Sequence, residues 1–260
     1  MPDIYYTDHG NGLPIVLIHG FCETHTVWNK LSDKLSGSWR ILCPDLPGFG
    51  KSPLPANPGF SFNYIAEILN NWLDETGIEK CVMIGHSMGG YVSLAFAERY
   101  VDKLAGLGLF HSTLLADTKE KKKTRNKAIV FIKEKGIQYF VKTFIPGLFY
   151  HKTESIEQDI DLLVNEAFAC TPQSLVAYII AMRDRPDRQH IIKQLSFPVL
   201  FIAGEKDSAI PVENSKTQTV GFDQQAVFIL PETGHMGMFE REKETTQIVH
   251  EYVNSIERPQ

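Results

Sequence analysis

Short apolar runs alternate with longer amphipathic stretches along most of the chain. The apolar runs are rich in β-branched residues and are bordered by Gly, Pro, Asp or Lys; they cover residues 15–18, 41–43, 81–84, 104–110, 199–203 and 226–230. Such runs are typical of parallel strands buried on both faces, and helical periodicity in residues 64–75, 91–100 and 245–256 predicts helices that connect and follow them. The pattern predicts an α/β protein with a mostly parallel central sheet and helices on both faces. Residues 5–7 are predicted to form an antiparallel edge strand that turns at residues 10–12.

The alternation stops between about residue 112 and about residue 194. Several helix-like stretches follow one another there, which predicts a helical cap, residues 112–194, inserted into a core formed by residues 1–111 and 195–260. The cap opens with a strongly basic run, which contains Lys119, Lys121, Lys122, Lys123, Arg125 and Lys127. A run of this kind is typical of a solvated helix face; the alternative is that it binds an acidic carrier protein or an anionic substrate.

Charge and composition exclude several classes of function. The chain has 260 residues and a formal net charge of −5, so it offers no positive field for nucleic acid or an anionic membrane, and neither is expected as a partner. No secretory leader and no apolar run near the roughly 18 residues of a membrane helix are found, which favours a cytoplasmic protein. The cysteines show no Cys-x-x-Cys spacing and are predicted to be reduced thiols: Cys22, Cys43, Cys81 and Cys170.

The predicted strand at residues 81–84 runs directly into the sequence Gly85-His86-Ser87-Met88-Gly89-Gly90, after which an amphipathic helix begins. This is a Gly-x-Ser-x-Gly elbow between a strand and a helix, the context that the motif requires. The turn holds the serine in a strained backbone conformation and leaves no space for side chains at Gly85 and Gly89. Ser87 is therefore the predicted nucleophile, at a helix N-terminus that favours developing negative charge.

With this elbow, three further motifs resemble the α/β-hydrolase family, in its serine-nucleophile, esterase and haloperoxidase-like branch. His19-Gly20-Phe21 is similar to the family's oxyanion loop, and the loop of residues 45–52 is similar to its Asp-x-Pro-Gly-x-Gly-x-Ser turn. The resemblance implies an α/β-hydrolase fold and an oxyanion hole built from the N–H groups of Phe21 and Met88. His19 is expected to hold the loop by hydrogen bonds, and the turn at 45–52 is expected to be structural.

The fourth motif supplies an acid, and a histidine follows it one predicted strand later. Asp207 stands in a Gly-x-x-Asp frame just after the strand at 199–203, and His235 lies in the loop after the strand at 226–230. Glu205 and Asp117 are the other candidate acids, but both lack the frame. The chain order Ser87, Asp207, His235 is the order that the family uses, so Asp207 is expected to orient His235 as general base. Other histidines, including His111, are expected to be structural or exposed, and no metal and no cofactor are implied.

The resemblance implies a hydrolase that forms an acyl-enzyme on a small-molecule acyl substrate, most simply a carboxylesterase for small or medium acyl esters. The alternatives are a C–C bond hydrolase, an aminopeptidase-like enzyme, a thioesterase, a lyase or a receptor-like member that binds a ligand. Tyr91 stands where the lyase group often has Arg, which weakens the lyase alternative. The residues predicted to contact substrate are Phe21, His86, Phe144 and Phe149, and the cap aromatics could instead pack within the cap.

Overall fold

The computed structural model describes residues 3–56, 59–223 and 226–257. Seven strands in these ranges form one sheet: β1 (Tyr6–His9), β2 (Pro14–Ile18), β3 (Arg40–Pro44), β4 (Cys81–His86), β5 (Leu104–Phe110), β6 (Val199–Gly204) and β7 (Val227–Leu230). Their order across the sheet is β1-β3-β2-β4-β5-β6-β7. β1 pairs antiparallel with β3 and the other neighbouring strands are parallel, which confirms the predicted sheet and its antiparallel edge strand.

Helices cover both faces of the sheet. Those within the described ranges are α1 (Asn29–Leu35), α2 (Phe62–Glu75), α3 (Met88–Tyr100), α4 (Lys119–Lys135), α5 (Ile137–Phe144), α6 (Glu154–Ala167), α7 (Pro172–Asp184), α8 (Gln189–Ile192), α9 (Val212–Gln218), α10 (Gly237–Glu240) and α11 (Glu242–Glu257). A search of the described residues finds no helix long and apolar enough to cross a lipid bilayer.

The apolar runs form strands because the sheet buries them on both faces. Every residue of β4 and of β6 is buried, so these strands have continuous apolar sequences and no polar alternation. The crossover helix α2 instead buries one face, which includes Ile65, Leu69 and Trp72, and Ser61 caps its N-terminus by accepting from the Tyr64 N–H. Together these elements hold the carboxyl ends of the parallel strands at one edge of the sheet.

The predicted ends of several elements differ from the observed ends by one to three residues. β1 begins one residue later than predicted and continues to His9, and β7 begins at Val227, so position 226 lies outside it. α3 begins at Met88, before the predicted start at residue 91. Gly89 and Gly90 have low helix propensity, which conceals the first turn of α3 from a search for helical periodicity.

Five helices, α4 to α8, follow one another between β5 and β6. Residues 112–194, which are all described and are called the cap below, contain no strand. Within the cap α4 contacts α7 and α5 contacts α6, and Ile132 and Val141 are buried; Tyr178 of α7 is buried against Phe49 and Phe60 of the core. The helices lie where the insertion is predicted, and the domain boundaries at residues 111 and 195 stay a prediction.

Candidate active site

Ser87 lies in the sharp turn between β4 and α3. Its φ angle is 49°, in the left-handed region that residues other than glycine rarely adopt. A side chain at Gly85 would overlap the backbone of Gly89, and a side chain at Gly89 would overlap the carbonyl oxygen of Ile18. Glycine is required at both positions because the turn brings β4, α3 and β2 into contact. The turn therefore has the geometry of a nucleophile elbow.

The backbone of Ser87 is fixed from the neighbouring strand. Its N–H donates to the carbonyl oxygen of Phe110 at the end of β5, with 2.9 Å between N and O. Its own carbonyl oxygen accepts from the Ser112 hydroxyl at 2.7 Å and from the Gly90 N–H at 3.0 Å. These bonds stabilise the strained turn, and the contribution of Ser112 was not predicted from the sequence.

Asp207 and His235 form a short hydrogen bond. The Nδ1 atom of His235 lies 2.7 Å from Oδ2 of Asp207, and both side chains are buried. The other oxygen, Oδ1, accepts from the N–H groups of Ala209 and Ile210 at 2.8 Å each. Burial opposes the charge on Asp207, but the nearby histidines and their hydrogen bonds outweigh burial and hold the pKa of Asp207 well below its usual range. An ionised Asp207 keeps the proton of neutral His235 on Nδ1, so that Nε2 is free to accept another.

Ser87 and His235 line the same cavity, whose volume is about 310 Å³. Phe21 and Phe144, two of the four residues predicted to contact substrate, also line it. The remaining wall residues were not predicted as contacts; they are Tyr91, Lys121, Arg125, Thr143, Gly147, Leu148, Met182, Ser208, Ala209 and Ile210. The three predicted catalytic residues therefore come together beside a space that can hold a small molecule.

The two N–H groups predicted for the oxyanion hole have no hydrogen-bond acceptor among the residues that the structure describes. Met88 is the first residue of α3, where helical N–H groups lack partners within the helix, and Phe21 follows the end of β2. Both residues are buried, so unpaired donors at these positions are costly unless a ligand accepts from them. This geometry favours binding of an oxygen that develops negative charge near Ser87.

His19 holds the loop that contains Phe21. Its Nε2 accepts from the Leu46 N–H at 2.9 Å, so Nδ1 carries the proton and donates to the carbonyl oxygen of Gly20 at 2.8 Å. Burial is the main cause of the lowered pKa of His19, which keeps the ring neutral. His19 is thus a structural residue, as expected from the sequence.

His86 is predicted to contact substrate, but its side chain does not line the cavity beside Ser87. The ring is fully buried; Nδ1 lies 2.9 Å from Oε2 of Glu23, and Nε2 lies 3.0 Å from the carbonyl oxygen of His235. Both partners are acceptors, so both ring nitrogens donate and the imidazole is protonated. Burial alone would lower the pKa of His86, but the Glu23 carboxylate outweighs burial and raises it.

Glu23 was not predicted from the sequence as part of the site. Its Oε2 also accepts from the Gly20 N–H at 2.6 Å, and the carboxylate is buried. Burial would raise the pKa of Glu23, but His86 outweighs burial and lowers it, so the carboxylate is ionised. The ion pair of Glu23 and His86 therefore connects the loop before Phe21 to the backbone of His235.

His111 is a second histidine beside Asp207. It follows β5 with φ 46°, is fully buried, and places Nδ1 3.4 Å from the same oxygen that His235 contacts. Its Nε2 has no hydrogen-bond partner among the described residues, and a side chain at Gly237 would overlap it. Burial is the main cause that lowers the pKa of His111 to about 4, so the ring is neutral and Nδ1 donates.

One group among the described side chains has the spacing of metal ligands. It consists of Asp207, His111 and His235, whose ligand atoms lie within 4.8 Å of one another. Both histidines direct Nδ1 toward one oxygen of Asp207, and the other oxygen is occupied by two backbone N–H groups. These contacts are those of a carboxylate, Asp207, that accepts hydrogen bonds at both of its oxygens. The expectation that no metal is bound stays a prediction.

The two cap phenylalanines differ in what they contact. Phe144 lines the cavity, and its ring lies 5.8 Å from the ring of Phe21 between centroids. Phe149 does not line it; its ring is buried against Phe239 of α10, 5.9 Å away. Of these two predicted contacts, the structure thus brings Phe144 but not Phe149 to the wall of the cavity.

The basic run divides between two faces of α4. Lys121 and Arg125 are partly buried and line the cavity, whereas Lys119, Lys123 and Lys127 are exposed. Lys122 is half-buried and does not line this cavity, and the interpretation of the exposed lysines as a solvated face stays a prediction.

Cys22 is buried and absent from the cavity wall, and burial raises the pKa of its thiol well above its ordinary range. A thiol that stays protonated is a poor nucleophile. The geometry therefore gives Cys22 no catalytic role.

Known proteins resemble the chain over nearly all of its length. A model of the alpha/beta hydrolase fold family matches residues 14–242. Lipase 3 of Moraxella sp. is 26% identical over 250 residues, which cover 92% of this chain and 76% of the lipase. The 2-hydroxy-6-oxononadienedioate/2-hydroxy-6-oxononatrienedioate hydrolase of Paraburkholderia phymatum is 23% identical over 274 residues, 96% of this chain and 90% of that protein. The structure of a thermophilic esterase from Thermogutta terrifontis with malate bound is 29% identical, with a TM-score of 0.88 and coverage of 98% and 94%.

Proposed function

The chain belongs to the α/β-hydrolase family, and on that premise we propose that it is a serine carboxylesterase that cleaves small or medium acyl esters through an acyl-enzyme. One observation carries the proposal. Ser87, in a strained elbow, lines the same cavity as His235, and His235 is hydrogen-bonded through Nδ1 to the buried carboxylate of Asp207. A nucleophile, a base and a group that orients the base are the three parts that acyl transfer to serine requires.

In the first step His235 Nε2 accepts the proton of the Ser87 hydroxyl while Oγ attacks the ester carbonyl carbon. Asp207 keeps the other ring proton on Nδ1 and stabilises the imidazolium that forms. The carbonyl oxygen becomes an oxyanion, and the unpaired N–H groups of Phe21 and Met88 are the donors available to it. Each such donor contributes about 3 kcal/mol to transition-state stabilisation.

In the second step the tetrahedral intermediate collapses, and His235 gives its proton to the departing alcohol. His235 then takes a proton from water, which attacks the acyl carbon; as the bond to Ser87 Oγ breaks, His235 returns that proton to Oγ and the acid is released. No cofactor is needed for either step. The esterase from Thermogutta terrifontis and the lipase from Moraxella support this choice of reaction among the alternatives.

Covalent labelling tests the nucleophile. After treatment with a fluorophosphonate, mass spectrometry is expected to find the adduct on Ser87, and Ser87→Ala is expected to abolish labelling. Ser208 provides a matched control, because it lines the same cavity while its hydroxyl donates to the Gly147 carbonyl oxygen. Ser208→Ala should still be labelled. An adduct on Ser208 or Cys22 would contradict the proposal.

Turnover tests the reaction. The protein is expected to release more than one equivalent of 4-nitrophenol per active site from 4-nitrophenyl butyrate. A burst that stops at one equivalent would instead support a ligand-binding member of the family.

A further inference from the structure

The cavity beside Ser87 is lined by cations and by no acid. Among its described wall residues, Lys121 and Arg125 are the two with a formal charge at neutral pH. They stand four positions apart on α4, so they share one face of that helix. The positive charge is therefore placed inside the cavity and is separate from the exposed lysines of the same helix.

One carboxylate near this pair is already shared by two arginines. Oδ2 of Asp117 accepts from Nε of Arg125 at 3.1 Å, and Oδ1 accepts from Nη1 of Arg185 at 2.7 Å. Lys121 donates to the carbonyl oxygen of Ala209 at 3.0 Å and has no carboxylate partner among the described residues. Among the described residues, Asp117 is the carboxylate that contacts these cations, and it serves the two arginines but not Lys121.

The charge of Lys121 is partly removed from water. Burial is the main cause that lowers the pKa of Lys121; Arg125 and Arg185 add to this effect, and Asp117 and Asp207 oppose it without reversing it. A buried cation without an ionic partner is unfavourable, and an anion bound in the cavity would remove that cost. Arg125 can take part, because its two terminal amino groups have no acceptor within the described part of the chain.

We propose that Lys121 and Arg125 bind a carboxylate of the substrate, and this inference rests on the proposed esterase function. The substrate class is then an ester that carries a free carboxylate in its acyl part or in its alcohol part. The apolar wall formed by Phe21, Phe144 and Leu148 would contact the carbon chain. A volume of about 310 Å³ suits a short chain with one such group.

Matched esters test the carboxylate and its position. For the acyl part, 4-nitrophenyl hemisuccinate is compared with 4-nitrophenyl butyrate; for the alcohol part, 3-acetoxypropionate is compared with butyl acetate. We expect the anionic ester of at least one pair to have the higher kcat/KM, and that pair identifies the part that carries the carboxylate. The preference should weaken as salt is added, because exposed parts of the interaction are screened.

Variants of α4 identify the residues responsible. Lys121→Met and Arg125→Met are each expected to lower the ratio of anionic to neutral kcat/KM by about 10- to 100-fold, the loss of one charge-assisted hydrogen bond. Both esters are measured on the same preparation of each variant, so this ratio does not depend on the fraction of the protein that is folded. Lys123→Met and Lys127→Met are matched controls on the exposed face and should leave the ratio unchanged. Equal effects of all four variants would indicate a general surface field and would overturn the subsite.

A binding measurement separates the subsite from the reaction. Calorimetry on Ser87→Ala is expected to detect succinate, and Lys121→Met in that background should weaken binding about tenfold or more, whereas Lys123→Met should not. If the wild-type protein hydrolyses none of the esters but succinate binding depends on Lys121, the proposed reaction fails and the anion site stands. If both anionic esters are no better than their neutral partners, or succinate binding is indifferent to Lys121, the anion site is wrong.

Discussion

The carboxylate of Glu23 and the imidazole of His86 form a buried ion pair, with 2.9 Å between Oε2 and Nδ1. Neither side chain reaches the cavity. Their partners are the backbone of Gly20, before Phe21, and the backbone of His235. The pair thus fixes the position of the loop that carries Phe21 relative to His235.

Glu23→Gln is expected to destabilise the protein by about 3 kcal/mol near pH 6, because it leaves a protonated His86 without its anion. The folded pKa of His86 is raised, so this stabilisation is fully present below about pH 6.5 and is lost as pH rises through the folded pKa. The folded pKa of Glu23 is lowered, so its contribution is lost as pH falls through that value. Urea unfolding of both proteins at several pH values measures the difference. A difference that stays constant between pH 6 and 9 would contradict a protonated His86.

His111→Asn is expected to make the protein less sensitive to acid. His111 is neutral in the fold with a pKa of about 4, while in the unfolded chain it binds a proton below about pH 6.5. The unfolded state therefore binds more protons between these values, and the free energy of unfolding rises with pH across them by about 3 kcal/mol. Asn tolerates the left-handed backbone at this position but does not titrate. The prediction fails if unfolding experiments between pH 4 and 6.5 give equal slopes for both proteins.

Asp207→Asn is expected to lower kcat by about 10⁴-fold while leaving the protein folded, because an amide can donate to His235 and allow the wrong tautomer. Ser87→Ala and His235→Ala should each cost about 10⁶-fold, and combining them should add little, since the residues act as a unit. Steady-state kinetics on a neutral ester measure these effects. Retention of more than a tenth of the activity by Asp207→Asn would remove Asp207 from this role.

Phe144→Ala is expected to shift substrate preference toward longer acyl chains, because the ring occupies part of the cavity wall next to Phe21. The ratio of kcat/KM for 4-nitrophenyl octanoate to that for the acetate should rise, with kcat for the acetate changed less. Phe149→Ala is the control, since that ring is buried outside the cavity against Phe239. It should lower the melting temperature and leave the ratio unchanged; a shift caused by Phe149→Ala alone would contradict the assigned wall.

The proposed catalytic residues could be located from the sequence because each lies in a short local motif. The glycines around Ser87 are required by a turn whose steric demands involve adjacent residues, and Asp207 and His235 each follow a strand that is evident from its apolar run. The sheet could also be predicted from local sequence, because burial on both faces gives each strand a continuous apolar run.

The supporting contacts could not be predicted because they join distant parts of the chain. Glu23 and His86 are 63 positions apart, and His111 and Asp207 are 96 positions apart, with no motif that relates them. Phe144 and Phe149 have similar surroundings in the sequence, and only the turn between them decides which ring faces the cavity. The spacing of Lys121 and Arg125 indicates a shared helix face, but the packing of α4 on α7 decides that this face points inward.

Glu240 joins the cap to the loop that carries His235. Its Oε1 accepts from the N–H groups of Tyr150 and His151 at 2.7 Å each, and its Oε2 accepts from the Gly234 N–H at 2.8 Å. The N–H of His235 itself donates to the carbonyl oxygen of Leu148 in the cap. Residues 148–151 therefore form a fixed seam between the cap and the core: lifting the cap here would break three hydrogen bonds and displace His235. If His235 is to keep its position, the substrate must therefore reach Ser87 from a side of the cavity away from residues 148–151.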